Sequence, residues 1–594
     1  MYCIIITIDI SSAIVYTVVM YIDRVPNRNS PPAILLRESY REDGKVKKRT
    51  LANLSSLPQG AIEALERSLK GETLVSAEDA FEIVRAYPHG HVAAVVGTMN
   101  RLGIGDLLST RKHRKRQLVL AMIAARILDP CSKLATAQKL GSDTLSSSLG
   151  KVLGVEDADA DDLYEALDWL YQGQARIEKK LADRHLDDGQ TVLWDATTVP
   201  FESRKCELAQ FGRPSKNHKS RLQILLGLLA TPEGIPIAVE VFGGKTGDPS
   251  TVGSALDRVQ KRFGLQNVVM VGDRGMITNA RIKAELAPRG VDWITALRAP
   301  TILKLMKNGG PLQLSLFEER GLAEITHPDF PGERLIACRN PILADERARK
   351  REELLVATER QLDKVRRRVH RKRNPLRGEK EIGIEVGKVL GGSKVAKHFL
   401  YEITDDSFSF ERDESSIKTE TALDGIYVVR TSVREEDLKA EEIVRSYKDL
   451  SQVEQAFRVM KVFALKVGPI RHRKEQRVRG HVFLCMLARY VRWHMEKALA
   501  PLILTDHDPA GREARRPSVV AKAKRSPAGE QKVRLQRTQA GEPARSFETL
   551  LDDLKTLTKN ETRVEGTKVA FDKYVRPTAL QEKALELLGV SYRL

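Results

Sequence analysis

A mixed α/β fold is expected for this chain of 594 residues, and three features point to it. The segment TVLWDATTVPF (Thr191 to Phe201) is apolar and β-branched, and LQILLGLLA and IPIAVEVF then flank the turn signal Thr231-Pro232-Glu233-Gly234. Beyond that ribbon the period changes. Ser250 to Phe263 has helical spacing, NVVMVGD is a short buried-type strand ending at Asp273, Asn279 to Arg289 is helical, and VDWITALR is another strand. The order β-β-β-α-β-α-β is an antiparallel ribbon leading into βα units, so one mixed sheet with helices on both faces is expected. The third feature is an interruption. Ile302 to Asp424 holds a strongly charged helix, Leu343 to Arg373, and strand-like pieces such as HFLYEIT and GIYVVRTS follow, so this stretch reads as an inserted domain.

The other segments are read in order. Residues 1–19, MYCIIITIDISSAIVYTVV, are apolar enough to evoke export, but they lack a basic start, carry Asp9 and end without a small-residue cleavage site. A start assigned too early, with Met20 the first residue, or a disordered leader accounts for them better. Residues 20–105 contain the strands ILLRESY and KVKKRTL, joined at Asp43-Gly44 in a basic hairpin. Residues 106–190 are helical, with the basic run RKHRKR (Arg111 to Arg116) near the start and amphipathic stripes at Leu118 to Leu128 and Leu163 to Leu170. A DNA-binding region and a merely solvated basic helix both fit, since no helix-turn-helix turn is recognisable. The α/β core is split into residues 191–301 and 425–500 by the insertion, 302–424. Residues 501–545, rich in Arg, Lys, Pro and Ala, read as a basic flexible linker, and 546–594 as a helical tail.

Composition narrows the partners. Ninety-eight Lys and Arg against 79 Asp and Glu leave a formal charge of +19, which suits a polyanion because each basic group at a phosphate releases condensed counterions. The five cysteines form no CxxC pair, so neither a disulfide framework nor a structural zinc site is expected, and a reducing cytoplasm fits. No HExxH occurs, and nothing reaches the length and purity of a membrane span. Gly244-Lys245-Thr246 follows a strand, but GxxxxGK[ST] requires glycine where Val239 stands, which disfavours nucleotide hydrolysis.

Three acids sit where solvation does not explain them. Asp195 lies inside VLWDATTV, where a lone carboxylate is costly unless paired or metal-bound. Asp273 ends the strand VVMVG, and strand ends in α/β sheets are where sites form. Glu454 belongs to a long helix expected from about Asp437 to Val462. Tyr447, Leu450, Glu454 and Lys461 are offset by 3, 7 and 14 residues, which at about 100° per residue puts them on one face. Each has a bland alternative: a strand-end Asp that caps a turn, a strand Asp paired with Arg, or a glutamate at a helix rim. Phosphodiester chemistry would use such carboxylates to hold two hard cations roughly 4 Å apart, one beside the nucleophile and one at the leaving oxygen. The segment Lys466 to Arg479 adds Arg471, Arg473, Lys474, Arg477 and Arg479, suited to backbone phosphate or to a solvated face. His481 begins an apolar helix and reads as a packed core histidine.

Aspartate in the first strand, aspartate after the fourth and glutamate on a late helix resemble the DDE arrangement of RNase H-like transposases. Tyr447, Glu454 and Lys461 match the signature Y-x2-R-x3-E-x6-K of the insertion-sequence-four superfamily, with Leu450 in place of the arginine. VVMVGDRGM, DGIYVVRT and IRHRKEQRVRGHVFLCMLA are similar to its branch with a long insertion before the glutamate, and the resemblance covers roughly Met20 to Leu499. It implies an RNase H-like core in which Asp195, Asp273 and Glu454 bind two Mg²⁺ ions, with Mn²⁺ as a substitute. Tyr447 and Lys461 would hold phosphates of the DNA end, and Arg458 stands one turn from Glu454 as a replacement for the missing arginine. The implied reaction is cleavage of double-stranded DNA at terminal inverted repeats, then attack of the freed 3′-hydroxyl on target DNA, by a homodimer in the bacterial cytoplasm, associated with the nucleoid. A nuclease that cuts without joining, and an inactive DNA-binding relative, remain the alternatives.

Overall fold

A computed structural model describes residues 19–28, 30–42, 44–72, 81–143, 146–203, 205–212, 221–306, 311–312, 317, 321–516, 518–521, 523–564 and 569–594. The expectations for residues 1–18, and for Asp43 in the hairpin turn, lie outside these. Two compact units form: Met1–Ala86 with Asn560–Lys573, and Tyr87–Lys559 with Tyr574–Leu594.

In the first unit the basic hairpin forms, with strands Ala33–Glu42 and Lys45–Asn53 antiparallel. A third strand, Val19–Val25, joins it, and helix Gln59–Leu69 packs there through the buried Ile62. Part of the hairpin's charge is neutralised locally: Arg37 pairs with Asp23 at 2.7 Å, Lys47 with Glu42 at 2.5 Å, and Arg49 with Glu38. Strands Thr558–Val564 and Ala570–Tyr574 pair in a sheet with Phe81–Pro88, so the C-terminal segment is not the purely helical tail expected. The short polar strand TKNETRV lacks apolar alternation, and one of its two neighbours, Phe81–Pro88, is distant in sequence.

The second unit is built on one mixed sheet. Its strands are β1 (Thr191–Pro200), β2 (Leu222–Ala230), β3 (Pro236–Gly243), β4 (Val269–Val271), β5 (Asp292–Ala296), β6 (Leu322–Ile325), β7 (Arg334–Arg339) and β8 (Ile426–Thr431). The order is β6-β7-β8-β5-β4-β1-β2, with β3 and the two-residue strand Gln210–Phe211 also on β2. The β1-β2-β3 ribbon is antiparallel, and β4 runs parallel to both β1 and β5, as the ribbon and βα pattern implied. This is the RNase H-like arrangement. β1 can tolerate burial on both faces because Val192, Leu193 and Trp194 are apolar throughout. Trp194 lies against Gly227 of β2, where even a Cβ would come within 2.4 Å of the indole.

Helices α1 (Arg114–Leu128), α2 (Ala160–Gln172), α3 (Gln174–His185), α4 (Pro341–His370), α5 (Ala440–Lys448), α6 (Leu450–Arg458) and α7 (Glu475–Ala498) complete the frame. α7 is buried for most of its length and packs on α1, α2 and β3. Each of its large apolar side chains, such as Phe483 and Leu487, contributes on the order of 1.5–3 kcal/mol by leaving water. The basic run at the head of α1 is tied to acids of its own fold: Arg114 to Asp157 and Asp162 at 2.9 and 2.8 Å, Lys115 to Glu165 at 3.3 Å, and Arg116 to Asp106 at 3.3 Å.

Four expectations need correction. The N-terminal region does not extend to residue 105, because Gly90–Arg101 is apolar all round and is buried as a helix of the second unit. The insertion is not wholly separate. β6 and β7 extend the main sheet through β8, whereas α4, helix Glu379–Gly392 and the hairpin Phe399–Ile403/Phe408–Arg412 enclose their own core around Leu362, Val369, Ile382 and Phe408. The segment read as a flexible linker holds helices Pro509–Ala514 and Pro527–Leu535. It is anchored by the buried Lys532 ammonium, which donates to the carbonyls of Ala500, Ile503 and Thr505 at 2.8, 3.1 and 3.1 Å. Polar anchoring leaves no hydrophobic pattern to read. Finally, the helix expected from 437 to 462 is broken at Asp449 and ends in a π turn, Val459–Phe463.

Candidate active site

The pairing of parallel strands brings the two aspartates together. Leu193 of β1 is opposite Val271 of β4, and Asp195 and Asp273 each lie two residues further along. Neighbouring strands run about 4.8 Å apart and side chains two residues apart share a face, so Asp195, midway along β1, and Asp273, just past the end of β4, stand on the same side of the sheet. Asp273 follows the strand in a turn: its carboxylate accepts the Gly275 amide at 3.1 Å, and its carbonyl accepts from Met276 and Ile277 at 2.9 Å each. It is exposed. Asp195, half-buried, pairs with Leu228 of β2. α6 supplies the third acid. Val453, Ala456 and Phe457 bury one face of α6, which packs on β1 and β2, and leave Glu454 exposed at the rim.

The electrostatics agree with this geometry. Burial pushes the Asp195 carboxyl up to about 6, against the Ala196 amide, and the charges of Glu454, Asp273 and Asp248 push the same way. Tyr447, half-buried, is pushed up to about 12 by burial, then by Asp273 and Glu454, against Arg274. Burial brings Lys461 down to about 8 against the pull of Asp195, and its ammonium donates to the Thr197 hydroxyl, two residues along β1. Tyr447, Glu454 and Lys461 thus reach the acids despite the break at Asp449. The uniform 100° spacing does not carry across that break or the π turn; the packing of α6 on the sheet is what keeps the three near one another.

Other expected residues sit elsewhere. Leu450 packs partly buried against the core, and Arg458 is exposed, with no hydrogen bond or ion pair among the described residues. The cation brought near Tyr447 is Arg274 instead. In the basic segment, Arg471 pairs with Glu202 at 2.8 Å, Arg477 with Asp168 at 3.3 Å and Arg479 with Glu475 at 2.7 Å, while Arg473 and Lys474 are exposed and unpaired among the described residues. His481 is a core histidine bonded to the Val467 carbonyl at 3.1 Å. Asp248 is an acid that sequence reasoning missed, because Gly247-Asp248-Pro249 reads as a turn. Its carbonyl accepts from the Thr251 hydroxyl at 2.7 Å, and Thr251 in turn accepts the Trp194 indole at 3.1 Å, which ties this turn to β1 beside Asp195.

Among the described residues no three His, Cys, Asp or Glu side chains stand close enough to hold a metal ion as placed. Their chemistry nevertheless fits one. The donors are all carboxylate oxygens, as hard divalent cations prefer, and the crowding of acids that raises the proton affinity of Asp195 would be relieved by a shared cation. No helix among the described residues is long and apolar enough to cross a membrane.

Residues 187–491, more than half of the chain, match the family model described as the transposase DDE domain. Residues 22–80 match the N-terminal domain of IS1634 family transposases. Among solved structures, a piggyBac transposase synaptic complex with hairpin DNA, determined by cryo-EM, aligns at 8% identity over 78% of this chain and 76% of that one, with a TM-score of 0.34, too loose a likeness to carry weight. No curated protein matches the chain. The DDE match runs from the approach to β1 into α7 and so spans the sheet, the insertion and all three acids; the chain belongs to the DDE transposases of insertion sequences, metal-dependent enzymes that cut and join DNA.

Proposed function

We propose that Asp195, Asp273 and Glu454 are the catalytic carboxylates of this transposase and hold two Mg²⁺ ions, for which Mn²⁺ substitutes. The observation that supports this most is the point at which β4 ends beside the middle of β1, where two aspartates stand side by side within charge reach of a glutamate from α6. Bound divalent cations would lower the cost of deprotonating the attacking water or 3′-hydroxyl and of charge on the leaving oxygen. Tyr447 and Lys461 flank the acids and orient backbone phosphates of the DNA end, and Arg274 supplies the positive charge that Leu450 lacks. Arg473 and Lys474 extend the phosphate contacts, with Arg458 and Arg471 at the margin. On these assignments we infer that the chain is a member of the insertion-sequence-four superfamily, with Leu450 departing from its signature. They carry its scheme of cleavage at terminal inverted repeats followed by strand transfer into target DNA, by a homodimer that pairs two ends in the cytoplasm beside the nucleoid.

Purified protein with Mg²⁺ is expected to cut a duplex carrying the element's end and to join it to a target plasmid. Asp195→Ala, Asp273→Ala and Glu454→Ala proteins should each bind that duplex and fail at both steps. Wild-type rates in any of the three would overturn the assignment, and cleavage without joined product would favour a nuclease.

A further inference from the structure

A second charged site lies at the far end of β1. The segment after the π turn returns to that strand: Ile470 bridges to Phe201, its amide bonds to the Pro200 carbonyl at 3.2 Å, and its carbonyl accepts from Glu202 at 2.9 Å. Between this segment and the start of helix Lys133–Leu140 is a cleft of about 320 Å³, lined by Arg126, Lys133, Tyr164, Lys466, Arg471 and His472 among others. Lys133 is only 4% exposed, yet its ammonium has no hydrogen bond or ion pair among the described residues. Arg126, 6% exposed, donates among the described residues only to the backbone carbonyls of Cys131 and Leu465, at 3.2 and 3.5 Å. Two acids close in the chain or the fold to lining residues are already paired, Glu202 with Arg471 at 2.8 Å and Asp168 with Arg477 at 3.3 Å. Lys133 is therefore a buried basic group, its charged form disfavoured while the cavity is empty, and Arg126, Lys466, His472 and His481 add positive or titratable groups to the same cavity without a free carboxylate among the described residues that line it. The surrounding charge also shows in His472, which burial, Lys133, Arg477 and Arg126 drive down to about 3. Such burial is costly unless an anion completes the site, and the free amides at the head of the helix capped by Ser132 favour the same sign of ligand.

We propose that this cleft is a phosphate-binding pocket that takes one backbone phosphate of bound DNA, with Lys133 and Arg126 as its principal donors. At about 320 Å³ the cleft is at the lower end of ligand-sized pockets, room enough for a phosphate group. Its rim is the chain that leads from Lys461 to the exposed Arg473 and Lys474, so a strand passing the carboxylates has a basic path to it. The distance along β1 from Asp195 to Phe201 is six residues, about 20 Å, or roughly six nucleotides' reach along a duplex strand at about 3.4 Å per step. The inference rests on the transposase reading for the identity of its ligand, whereas the anion chemistry stands on the cleft alone.

The test uses the full chain and its Lys133→Met and Lys133→Gln variants. Thermal unfolding is followed in sodium chloride and in sodium phosphate at equal ionic strength, and binding of a fluorescein-labelled duplex of about 30 base pairs is followed by anisotropy against salt. The variants should melt at or above the wild-type temperature in chloride, since they remove an unmatched buried charge. Phosphate should raise the wild-type melting temperature more than theirs. DNA binding should weaken about tenfold in the variants, with the slope of log K against log salt smaller by about 0.9, the share of one phosphate. Variants that melt below wild type and bind phosphate and DNA as wild type does would show that Lys133 only packs, and would overturn the proposal. A phosphate effect with unchanged DNA binding would assign the pocket to a free phosphate and overturn its DNA role. The Asp195→Asn protein separates the two readings: failure of the active-site assignment appears in its cleavage, failure of this one in the DNA binding of the Lys133 variants.

Discussion

Two acids near the central sheet have opposite surroundings. Glu178 of α3 is fully buried and faces Arg258 and Arg262 at 3.2 and 2.8 Å, while Gln174 and the Val239 amide donate to it at 2.7 and 3.2 Å. Burial raises its proton affinity, and Arg258, Gln174, the amide and Arg262 pull it back. Asp195 is half-buried among Glu454, Asp273 and Asp248, with the Lys461 ammonium also within charge reach. The first region holds its charge to fasten α3 to β3, and nothing is left over for a ligand. The second gathers several carboxylates around one ammonium, a surplus of like charge that a bound cation would relieve. The Lys133 cleft repeats the second pattern with the sign reversed. An unbalanced cluster marks where the protein meets something else.

The contrast can be broken most sharply at the acids. Asp195→Asn should reduce cleavage by more than about a hundredfold, since even partners of metal ligands are worth about 10–100-fold. Its melting temperature should stay level or rise as repulsion is relieved, and a marked drop in a thermal scan would make Asp195 structural. Glu178→Ala should do the reverse, losing about 3 kcal/mol in urea unfolding as the buried partner of Arg258 and Arg262 goes and Arg258 keeps only Glu240 and the Val239 carbonyl, with cleavage per folded molecule retained. A neutral result there would mean the network fastens nothing.

Next in size is a pH effect. Burial and Arg126 bring Lys133 down to about 7 from 10.5. Between those values the unfolded chain binds more protons than the folded one, so this group makes stability rise with pH from about 7 to about 10. Unfolding midpoints measured across that window should climb less steeply in Lys133→Met than in wild type; parallel profiles would remove the buried cation from the account. The smallest effects belong to exposed charges. Arg473→Ala and Lys474→Ala should each leave stability unchanged and flatten the salt dependence of DNA binding by about 0.9, and a loss of stability would show hidden packing.

Much of the site is legible in the order of the residues. Asp195 within VLWDATTV and Asp273 after VVMVG stand out because a carboxylate in an apolar strand needs a reason, and parallel pairing then places them together. The ribbon and βα order follow from period alone. Asp248 is not legible, since Gly-Asp-Pro is an ordinary turn and only Trp194 and Thr251 tie it to β1. Lys133 is hidden in the same way: SKLATAQKL reads as a helix start, and no pattern says that its first lysine turns inward. The supposed linker misleads for a related reason, as Lys532 is satisfied by carbonyls that no periodicity reports.

Local chemistry is enough to choose strands, helices and the acids worth suspecting, because propensity, period and the cost of burying charge act over a few residues. Which charges would be answered was settled by folding at long range. The Arg258 and Arg262 that meet Glu178 lie about 80 residues along the chain, and the neighbours of Asp195 arrive from 78 and 259 residues away. Coulomb energy depends on distance in space and on local polarisability, and neither is written in the order of the residues.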